Sequence, residues 1–356
     1  MFSPGAGIGK LWELWKLGSA NRKISFRRLL NLIVVYFQWK IFRTKKTYGY
    51  PFKLIVDPSS ICQLHCPLCP TGQGDQSRGR GFMDLVKYKG LIDEVSSYVI
   101  FIDLFNWGEP LLNKKLPDMI RYASKKGLVT RINTNLNFFS RKMAKDLVES
   151  RPDVLIVSLD GASQETYSKY RKGGNFDEVI IHIQWIVEEK KKQKTKKPFL
   201  VWQFLAMKHN EHEIPTAKKI ALEIGVNQVV LHPVRCDMGK EIFMTDEEKI
   251  KKTEAWLPAE DTLSRYDYQK KQRKLNYKYC HHLWTKSTVN WDGSVSPCCG
   301  IYDKKHDFGN AFEEKSFKSI WNNQKFQRAR EIIAKQEKGA KDNIVCRACL
   351  KTGYID

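Results

Sequence analysis

The feature that most constrains the fold is an alternation of short apolar runs with amphipathic stretches after Pro51. The apolar runs are rich in branched and aromatic residues, which is typical of strands. They cover residues 52–57, 99–105, 128–134, 153–160, 199–207 and 228–233. The helical stretches lie near 84–96, 114–126, 140–150, 163–171, 177–191 and 212–224. Six such repeats predict an α/β fold, in which a parallel sheet is either open or curled into a partial (β/α)6 TIM-like barrel.

The unusual residues of the sequence follow the predicted strands. In parallel β/α folds, ligand sites gather at the carboxyl ends of the strands, which we call the mouth. The residues concerned are Cys62, Cys66 and Cys69 after the first strand, NWGEP (106–110) after the second, Asn133 and Asn135 after the third, Ser158 and Asp160 after the fourth, and Cys236 after the sixth. We therefore expect them to meet at one site.

The first cysteine group has the pattern C-x3-C-x2-C, formed by Cys62, Cys66 and Cys69. A tetrahedral metal site built only from protein needs four ligands. His65 could complete a Cys3His zinc site. Alternatively, the three thiolates hold a [4Fe–4S] cluster and leave one iron open to a small molecule.

A second group comprises Cys280, Cys298, Cys299, Cys346 and Cys349. The pair Asp292-Gly293 is a strong hairpin signal, and this hairpin would bring Cys280 close to Cys298. A helix predicted over 316–336 would return the chain to the last two cysteines. Four thiolates form a closed set that suits zinc or a fully ligated iron–sulfur cluster, and Cys299 is interpreted as a spare buried thiol.

The cysteine motif after the first strand of a β/α barrel resembles the radical S-adenosylmethionine (SAM) superfamily, over residues 52 to 235. In that family SAM chelates the open iron of the [4Fe–4S] cluster. Trp107-Gly108-Glu109-Pro110 resembles the family's GGEP run, in which Glu109 and the local backbone would receive the SAM ammonium. The SAM-binding residues that the resemblance implies are Leu68, Trp107, Gly108, Glu109, Pro110, Asn135, Ser158, Asp160 and Arg171.

The C-terminal cysteines are similar to the SPASM or shorter twitch extension of this superfamily. The resemblance implies that Cys280, Cys298, Cys346 and Cys349 fully ligate one auxiliary [4Fe–4S] cluster. The predicted domains are a basic, apolar N-terminal extension over 1–50, a radical SAM barrel over 51–240, a linker over 241–279 and a small β-hairpin-plus-helix cluster domain over 280–356.

The resemblance implies an enzyme that reductively cleaves SAM to a 5′-deoxyadenosyl radical and abstracts a substrate hydrogen. We expect it to oxidise or epimerise a carbohydrate, glycolipid or other anionic small molecule, with an electron donor such as flavodoxin or ferredoxin. Cys236 either returns a hydrogen atom to the substrate radical or is a buried thiol.

Two other functions compete with this hypothesis. One is a SPASM-type maturase of a ribosomal peptide. The other is a zinc-stabilised nucleic-acid-binding protein, which the net charge of +22 suggests. The nucleic-acid-binding hypothesis gives the WGEP run no role, so nucleic acid is not an expected partner.

The N-terminal extension contains the most apolar stretch of the chain, residues 28–43, with cations on both sides. It suits either a helix in the headgroup plane of an anionic membrane or a helix packed on the catalytic domain. With no secretory signal, the predicted location is the cytoplasm or the inner face of the membrane. Arg78, Arg80 and Arg235 could bind a phosphate or carboxylate near the mouth.

Overall fold

The computed structural model describes residues 24–235, 239–274, 280–337 and 343–352. Its centre is a parallel sheet whose six strands pair in chain order, as predicted for a partial (β/α)6 barrel. The strands are β1 (Lys53–Val56), β2 (Phe101–Asp103), β3 (Val129–Thr134), β4 (Val154–Ser158), β5 (Phe199–Ala206) and β6 (Gln228–Pro233). The second strand is shorter than predicted because the Val99 amide still bonds to Val95, in the turn that ends the preceding helix.

Helices alternate with these strands. An N-terminal helix, α1 (Phe26–Tyr36), continues as a π-helical turn over Phe37–Phe42. The others are α2 (Leu85–Val95), α3 (Leu116–Lys125), α4 (Arg141–Ser150), α5 (Gln164–Tyr170), α6 (Phe176–Lys192), α7 (Ile214–Glu223) and α8 (Asp246–Thr253). Many begin at a side chain that accepts a backbone amide: Asp84 caps α2 and Ser140 caps α4. Thr245 and Glu248 form a capping box at the start of α8.

The C-terminal region contains a hairpin and short helices. Its elements are β7 (Tyr266–Asp267), β8 (Gln272–Arg273), α9 (His282–Thr285), β9 (Lys286–Val289), β10 (Ser294–Ser296), β11 (Gly309–Asn310), α10 (Phe317–Trp321), α11 (Gln324–Lys335) and α12 (Cys346–Thr352). Gly293 turns the predicted hairpin between β9 and β10 with φ of 85°. The prediction of one helix over 316–336 is wrong in detail, because the side chain of Asn323 accepts the Phe326 amide and starts a new helix.

The C-terminal hairpin joins the sheet of the barrel. Strand β9 pairs in parallel with β1, with Thr288 opposite Ile55, and the resulting order is β11-β10-β9-β1-β2-β3-β4-β5-β6. One hydrophobic core therefore runs from the barrel into the C-terminal region, as the contacts of Trp284 and Trp321 with it indicate. The strand that leads into the first cysteine group is therefore paired directly with a strand that lies between Cys280 and Cys298 of the second group.

Arg78 connects the two regions through a buried ion pair. Its side chain is fully buried; Nη1 lies 2.8 Å from Asp307 Oδ2, and Nε donates to the Tyr302 carbonyl at 2.5 Å. The expectation that Arg78 would bind an anion at the mouth is therefore wrong, because Asp307 already neutralises it inside the protein.

Helix α1 packs across the amino-terminal end of the barrel. Arg28 donates to the carbonyls of Ser96 and Gly127, which precede β2 and β3. Asn31 donates to the carbonyl of Tyr50, just before β1. The helix is therefore on the side of the sheet opposite the mouth. Within the described ranges, no helix is both long and apolar enough to cross a membrane.

Candidate active site

The first cysteine group lies in a tight loop that follows β1. The Cys69 amide bonds to the Cys66 carbonyl at 3.1 Å, and the Leu64 amide points at Cys62 Sγ at 3.4 Å. A Cβ at Gly72 would stand 2.5 Å from the Cys66 nitrogen, so only glycine allows the returning chain to pass there. The loop is thus folded around its own sulfur atoms.

The three thiols are close enough to influence each other's ionisation. Burial, helped by Glu109 and the other two cysteines, raises the pKa of Cys62 to about 12. Burial also raises the pKa of Cys66, whereas the Arg171 guanidinium opposes that shift. Cys62 and Cys66 in such surroundings become thiolates together only when a cation binds them.

The WGEP run reaches this loop from the end of β2. A Cβ at Gly108 would lie 1.9 Å from the carbonyl oxygen of Ser59, so the two loops touch backbone to backbone. The Glu109 amide bonds to the Ile61 carbonyl at 2.8 Å. Pro110 opens the short 3-10 turn that follows. Glycine at position 108 is therefore required by the close approach of the two loops.

Glu109 links the ends of β2 and β3 beneath the cysteine loop. Its carboxylate accepts the Thr134 hydroxyl at 2.6 Å and the Asn135 amide at 2.8 Å. Burial raises its pKa. Asn135 in turn directs Nδ2 at Cys62 Sγ, 3.5 Å away. Both residues thus lie at the predicted site, and Asn135 contacts the sulfur directly.

A cation at the end of α5, Arg171, faces the thiols and is held by a carboxylate that follows β4. Asp160 is completely buried and accepts Arg171 Nε at 2.6 Å and the Leu205 amide at 2.8 Å. Arg171 Nη1 lies 3.8 Å from Cys66 Sγ. The prediction that Asp160 contacts SAM stays a prediction, while the structure gives this carboxylate a role in positioning Arg171.

Ser158 and Leu68 are also at the mouth. The Ser158 hydroxyl donates to Asn133 Oδ1 at 2.7 Å, which joins the ends of β3 and β4. Leu68 is half-buried and packs in a small apolar cluster that includes Cys62 and Cys69. Arg80 is exposed. The tentative hydrogen donor Cys236 lies outside the described residues.

Three buried polar atoms near the WGEP run have no hydrogen-bond partner within the described part of the chain. They are Asp57 Oδ1, Asn106 Nδ2 and Trp107 Nε1. Burial raises the pKa of Asp57 to about 7. Buried polar atoms are almost always paired in folded proteins, so this group fits a site that accepts a polar ligand such as SAM. Sequence analysis missed Asp57, although it stands at the end of a strand, and included Asn106 only as part of the NWGEP run.

Several thiols of the second cysteine group influence one another's ionisation, while their joint ligation of one cluster stays a prediction. Burial raises the pKa of Cys280 to about 12, and the neighbouring Cys298 adds to the shift. Burial also raises the pKa of Cys346, and Cys349, Cys298 and Cys280 contribute. The four thiols therefore lie within electrostatic reach of one another, and the fifth cysteine, Cys299, interacts with Cys298.

His282 is a further residue near this group that sequence analysis missed. It is 1% exposed, and neither ring nitrogen has a hydrogen-bond partner within the described residues. Burial lowers its pKa well below the usual value, so the ring is neutral. In the sequence, only its position two residues after Cys280 indicates that His282 lies near this cysteine group.

Sequence models of two families match the chain. Residues 56–205 match the radical SAM superfamily, and residues 280–350 match the SPASM iron–sulfur cluster-binding domain. The segment that matches the radical SAM superfamily contains Cys62, Cys66 and Cys69. The segment that matches the SPASM domain contains the second cysteine group. The matches imply SAM with a [4Fe–4S] cluster in the barrel, and auxiliary iron–sulfur binding in the C-terminal domain.

Curated relatives of different activities are similar to the chain. Fe-coproporphyrin III synthase of Methanosarcina barkeri is 30% identical over 52% of this chain and 45% of its own length. A Pyrococcus furiosus protein that modifies the cofactor of tungsten-containing aldehyde ferredoxin oxidoreductase is 23% identical over 77% and 81%. PqqA peptide cyclase of Rhodopseudomonas palustris is 25% identical over 33% and 31%. The chain thus spans about half the length of the first relative, 45%, and less of the third, 31%.

Among solved structures, Streptococcus suis SuiB bound to the precursor peptide SuiA has a similar fold. The TM-score is 0.60 with 14% identity, over 97% of this chain and 83% of that one. This likeness confirms the partial barrel with a small C-terminal domain.

The arrangement of the donors bears on the zinc alternative. His65, the fourth ligand of a Cys3His site, is exposed. Across the described ranges, no group of three or more His, Cys, Asp and Glu side chains is arranged around one metal-ion position. The assignment of these thiols to iron–sulfur clusters therefore rests on their spacing and on the matched families.

Proposed function

We propose that this chain, which belongs to the radical SAM superfamily and carries a SPASM domain, oxidatively modifies a peptide. The observation that carries the proposal is the juxtaposition at the mouth of three thiols, a buried carboxylate and a partly buried cation. Arg171 lies 3.8 Å from Cys66, and Asn135 lies 3.5 Å from Cys62 while its amide bonds to Glu109.

In this proposal Cys62, Cys66 and Cys69 hold the cluster that keeps one iron open. When bound, the cluster and SAM supply an electron and a radical able to abstract a hydrogen atom from an unactivated carbon. The orphaned polar atoms of Asp57, Asn106 and Trp107 offer partners to the polar groups of SAM.

Cys280, Cys298, Cys346 and Cys349 hold an auxiliary cluster with no open iron. The parallel pairing of β9 with β1 fixes this set relative to the mouth. A rigid connection of this kind suits the transfer of one electron from the substrate radical to the auxiliary cluster, which would complete a two-electron oxidation of the substrate.

Two considerations favour a peptide over the carbohydrate or glycolipid expected from the sequence. The relatives include PqqA peptide cyclase, and the fold resembles that of SuiB with its precursor peptide. In addition, α1 lies across the end of the barrel opposite the mouth, so the apolar segment that suggested a membrane-linked substrate does not face the site.

Transfer of deuterium tests the substrate class. The reconstituted chain, SAM and dithionite would be incubated without oxygen with one of two deuterated fractions of the source organism, small proteins or sugar phosphates. We expect deuterium in 5′-deoxyadenosine from the protein fraction, and the Cys66→Ala variant supplies the background. Transfer from sugar phosphates alone would contradict the peptide and restore the carbohydrate hypothesis.

A further inference from the structure

Helix α1 and the turn after it expose a continuous apolar surface, which we call the α1 face. Its residues recur at the three- and four-residue spacing of one side of a helix. They are Phe26, Leu29, Leu30, Ile33, Phe37, Ile41 and Phe42, with between 44% and 77% of each residue exposed. A row of large apolar side chains in water is unusual for a folded protein and marks an interaction site.

The opposite side of the same helix faces the protein and buries polar residues beside the apolar Val35. Arg28 is 8% exposed and donates to the Ser96, Lys126 and Gly127 carbonyls. Gln38 is 6% exposed and accepts the Gly49 amide at 2.8 Å. At these polar positions the usual pattern of a surface helix, with apolar residues inside and polar residues outside, is therefore inverted.

This inversion fixes which way the α1 face points. Three buried polar residues (Arg28, Asn31 and Gln38) lie along the helix and bond to carbonyls or amides of the barrel and its entry segment. Rotating the helix to bury its leucines would leave these groups without partners, at a cost of about 1–3 kcal/mol each. The barrel therefore holds the apolar face outward.

Cations surround the α1 face. Arg27, Lys40, Lys45 and Lys46 are all exposed, and residues 24–52 include no aspartate or glutamate. An apolar strip on a segment whose own charges are all positive complements a surface that is apolar inside and negative outside. Lipid bilayers rich in anionic phospholipids have that arrangement.

We propose that the α1 face inserts into the headgroup region of an anionic membrane, with the helix parallel to the plane. Each lysine near such a surface strengthens binding by electrostatic attraction, and the apolar side chains add burial. Because α1 lies across the amino-terminal end of the barrel, the mouth then points away from the bilayer. The enzyme would be held at the membrane while its site stays open to a water-soluble substrate.

Flotation with lipid vesicles tests this proposal on the full chain. The vesicles would contain either phosphatidylcholine alone or equal parts of phosphatidylcholine and phosphatidylglycerol. We expect binding to the anionic vesicles only. The double variant Leu29→Glu/Ile33→Glu should reduce that binding at least about tenfold, because two apolar anchors are lost. Replacing Lys40, Lys45 and Lys46 by Gln should weaken it about fivefold for each cation.

The matched control is Val86→Glu/Leu222→Glu, which places the same charges on exposed apolar residues elsewhere; these two residues are 76% and 79% exposed. It should float like the wild type. All variants are first shown to melt at the wild-type temperature and to produce 5′-deoxyadenosine, so a failed fold or a failed active site is distinguished from lost membrane binding.

Three results would overturn the proposal. The first is a wild-type chain that does not float with anionic vesicles. The second is flotation that survives Leu29→Glu/Ile33→Glu but is lost on removing residues 1–23, which would assign binding to that segment. The third is a dimer in light scattering that Leu29→Glu/Ile33→Glu converts to a monomer, without vesicle binding, which would make a second copy the partner of the α1 face.

Discussion

At the scale of single residues, Arg171 shows how the site combines charge and position. Burial opposes the charge of its guanidinium, but Asp160 and Cys66 keep its pKa above the usual value. The side chain is thus a permanent cation, oriented by a buried carboxylate and directed at a sulfur. A fixed positive charge beside a cluster ligand favours the reduced, more negative state of the cluster.

The redox potential of the barrel cluster tests this role. Replacing Arg171 with Gln should move the midpoint potential to more negative values, on the order of 50 mV, because the reduced cluster loses a stabilising cation. The measurement is a redox titration followed by electron paramagnetic resonance. The control Arg80→Gln removes an exposed cation. It should leave the midpoint potential of the cluster unchanged. Equal potentials for Arg171→Gln and wild type would contradict the role.

The ionisation of Asp57 should make the stability of the fold depend on pH. Burial raises its pKa from 3.8 to about 7. A carboxyl that binds its proton more tightly in the folded state stabilises the fold at low pH, and that contribution is lost as pH rises from about 4 through 7. Asp57→Asn removes the ionisable group but keeps an oxygen for the Trp107 amide, which lies 3.3 Å from Asp57 Oδ2.

Denaturant unfolding of both proteins at several pH values measures this effect. The free energy of unfolding of Asp57→Asn, relative to wild type, should rise between pH 5 and pH 8 by on the order of a few kcal/mol. A difference that does not change with pH would show that Asp57 ionises normally.

At the scale of elements, the contact between the cysteine loop and the WGEP run is a backbone contact. It depends on the absence of a Cβ at Gly108, which would stand 1.9 Å from the Ser59 oxygen. Such a contact cannot be relieved by a side-chain rotation, since neither atom belongs to a flexible group. The loop that carries the thiols and the loop that carries Glu109 are therefore held at a fixed distance from each other.

Gly108→Ala should separate these two loops. We expect it to lower the free energy of unfolding by more than about 2 kcal/mol, which thermal unfolding measures. It should also reduce the formation of 5′-deoxyadenosine, which product analysis measures. Gly90→Ala is the matched control, because a Cβ at Gly90 meets nothing within 4 Å and lies inside helix α2. It should stabilise the protein by about 0.5–1 kcal/mol. Similar behaviour of the two variants would show that the close approach at Gly108 is unimportant.

Local signals in the sequence predicted most elements. Strands β1 to β6 and the turn at Gly293 follow from apolar runs and from turn residues, which act over a few positions. The break between α10 and α11 was missed, because the helical pattern continues through it and only the Asn323 cap interrupts it. The outward apolar face of α1 was one of two alternatives that the sequence left open, since the buried polar residues find their partners only in the assembled barrel.

At the scale of the whole molecule, one sheet and one ion pair join the barrel to the cluster domain. Pairing between β9 and β1 has no local signature, because the two strands are far apart in the sequence. The same is true of Arg78 and Asp307, whose proximity depends on that pairing. The cysteines of each group were therefore predictable from their spacing, whereas the rigid connection between the groups was not.

Breaking the Arg78 ion pair tests that connection. Arg78→Met leaves the carboxylate of Asp307 buried and unpaired, which should cost about 3–5 kcal/mol of stability in denaturant unfolding. Adding Asp307→Leu should recover much of that loss, because no unpaired charge remains. Arg80→Met, at an exposed neighbour, should change stability by less than about 0.5 kcal/mol. A small effect of Arg78→Met would show that the two regions are held together without it.

The central claim is that the three thiols of the first cysteine loop form a site for SAM cleavage. Anaerobic reconstitution with iron and sulfide, followed by dithionite and SAM, measures it through the formation of 5′-deoxyadenosine. The account predicts product from the wild type and from Cys299→Ala, and none above background from Cys66→Ala. Equal product from Cys66→Ala and wild type, or a wild-type chain that binds zinc and forms no product, would contradict the claim.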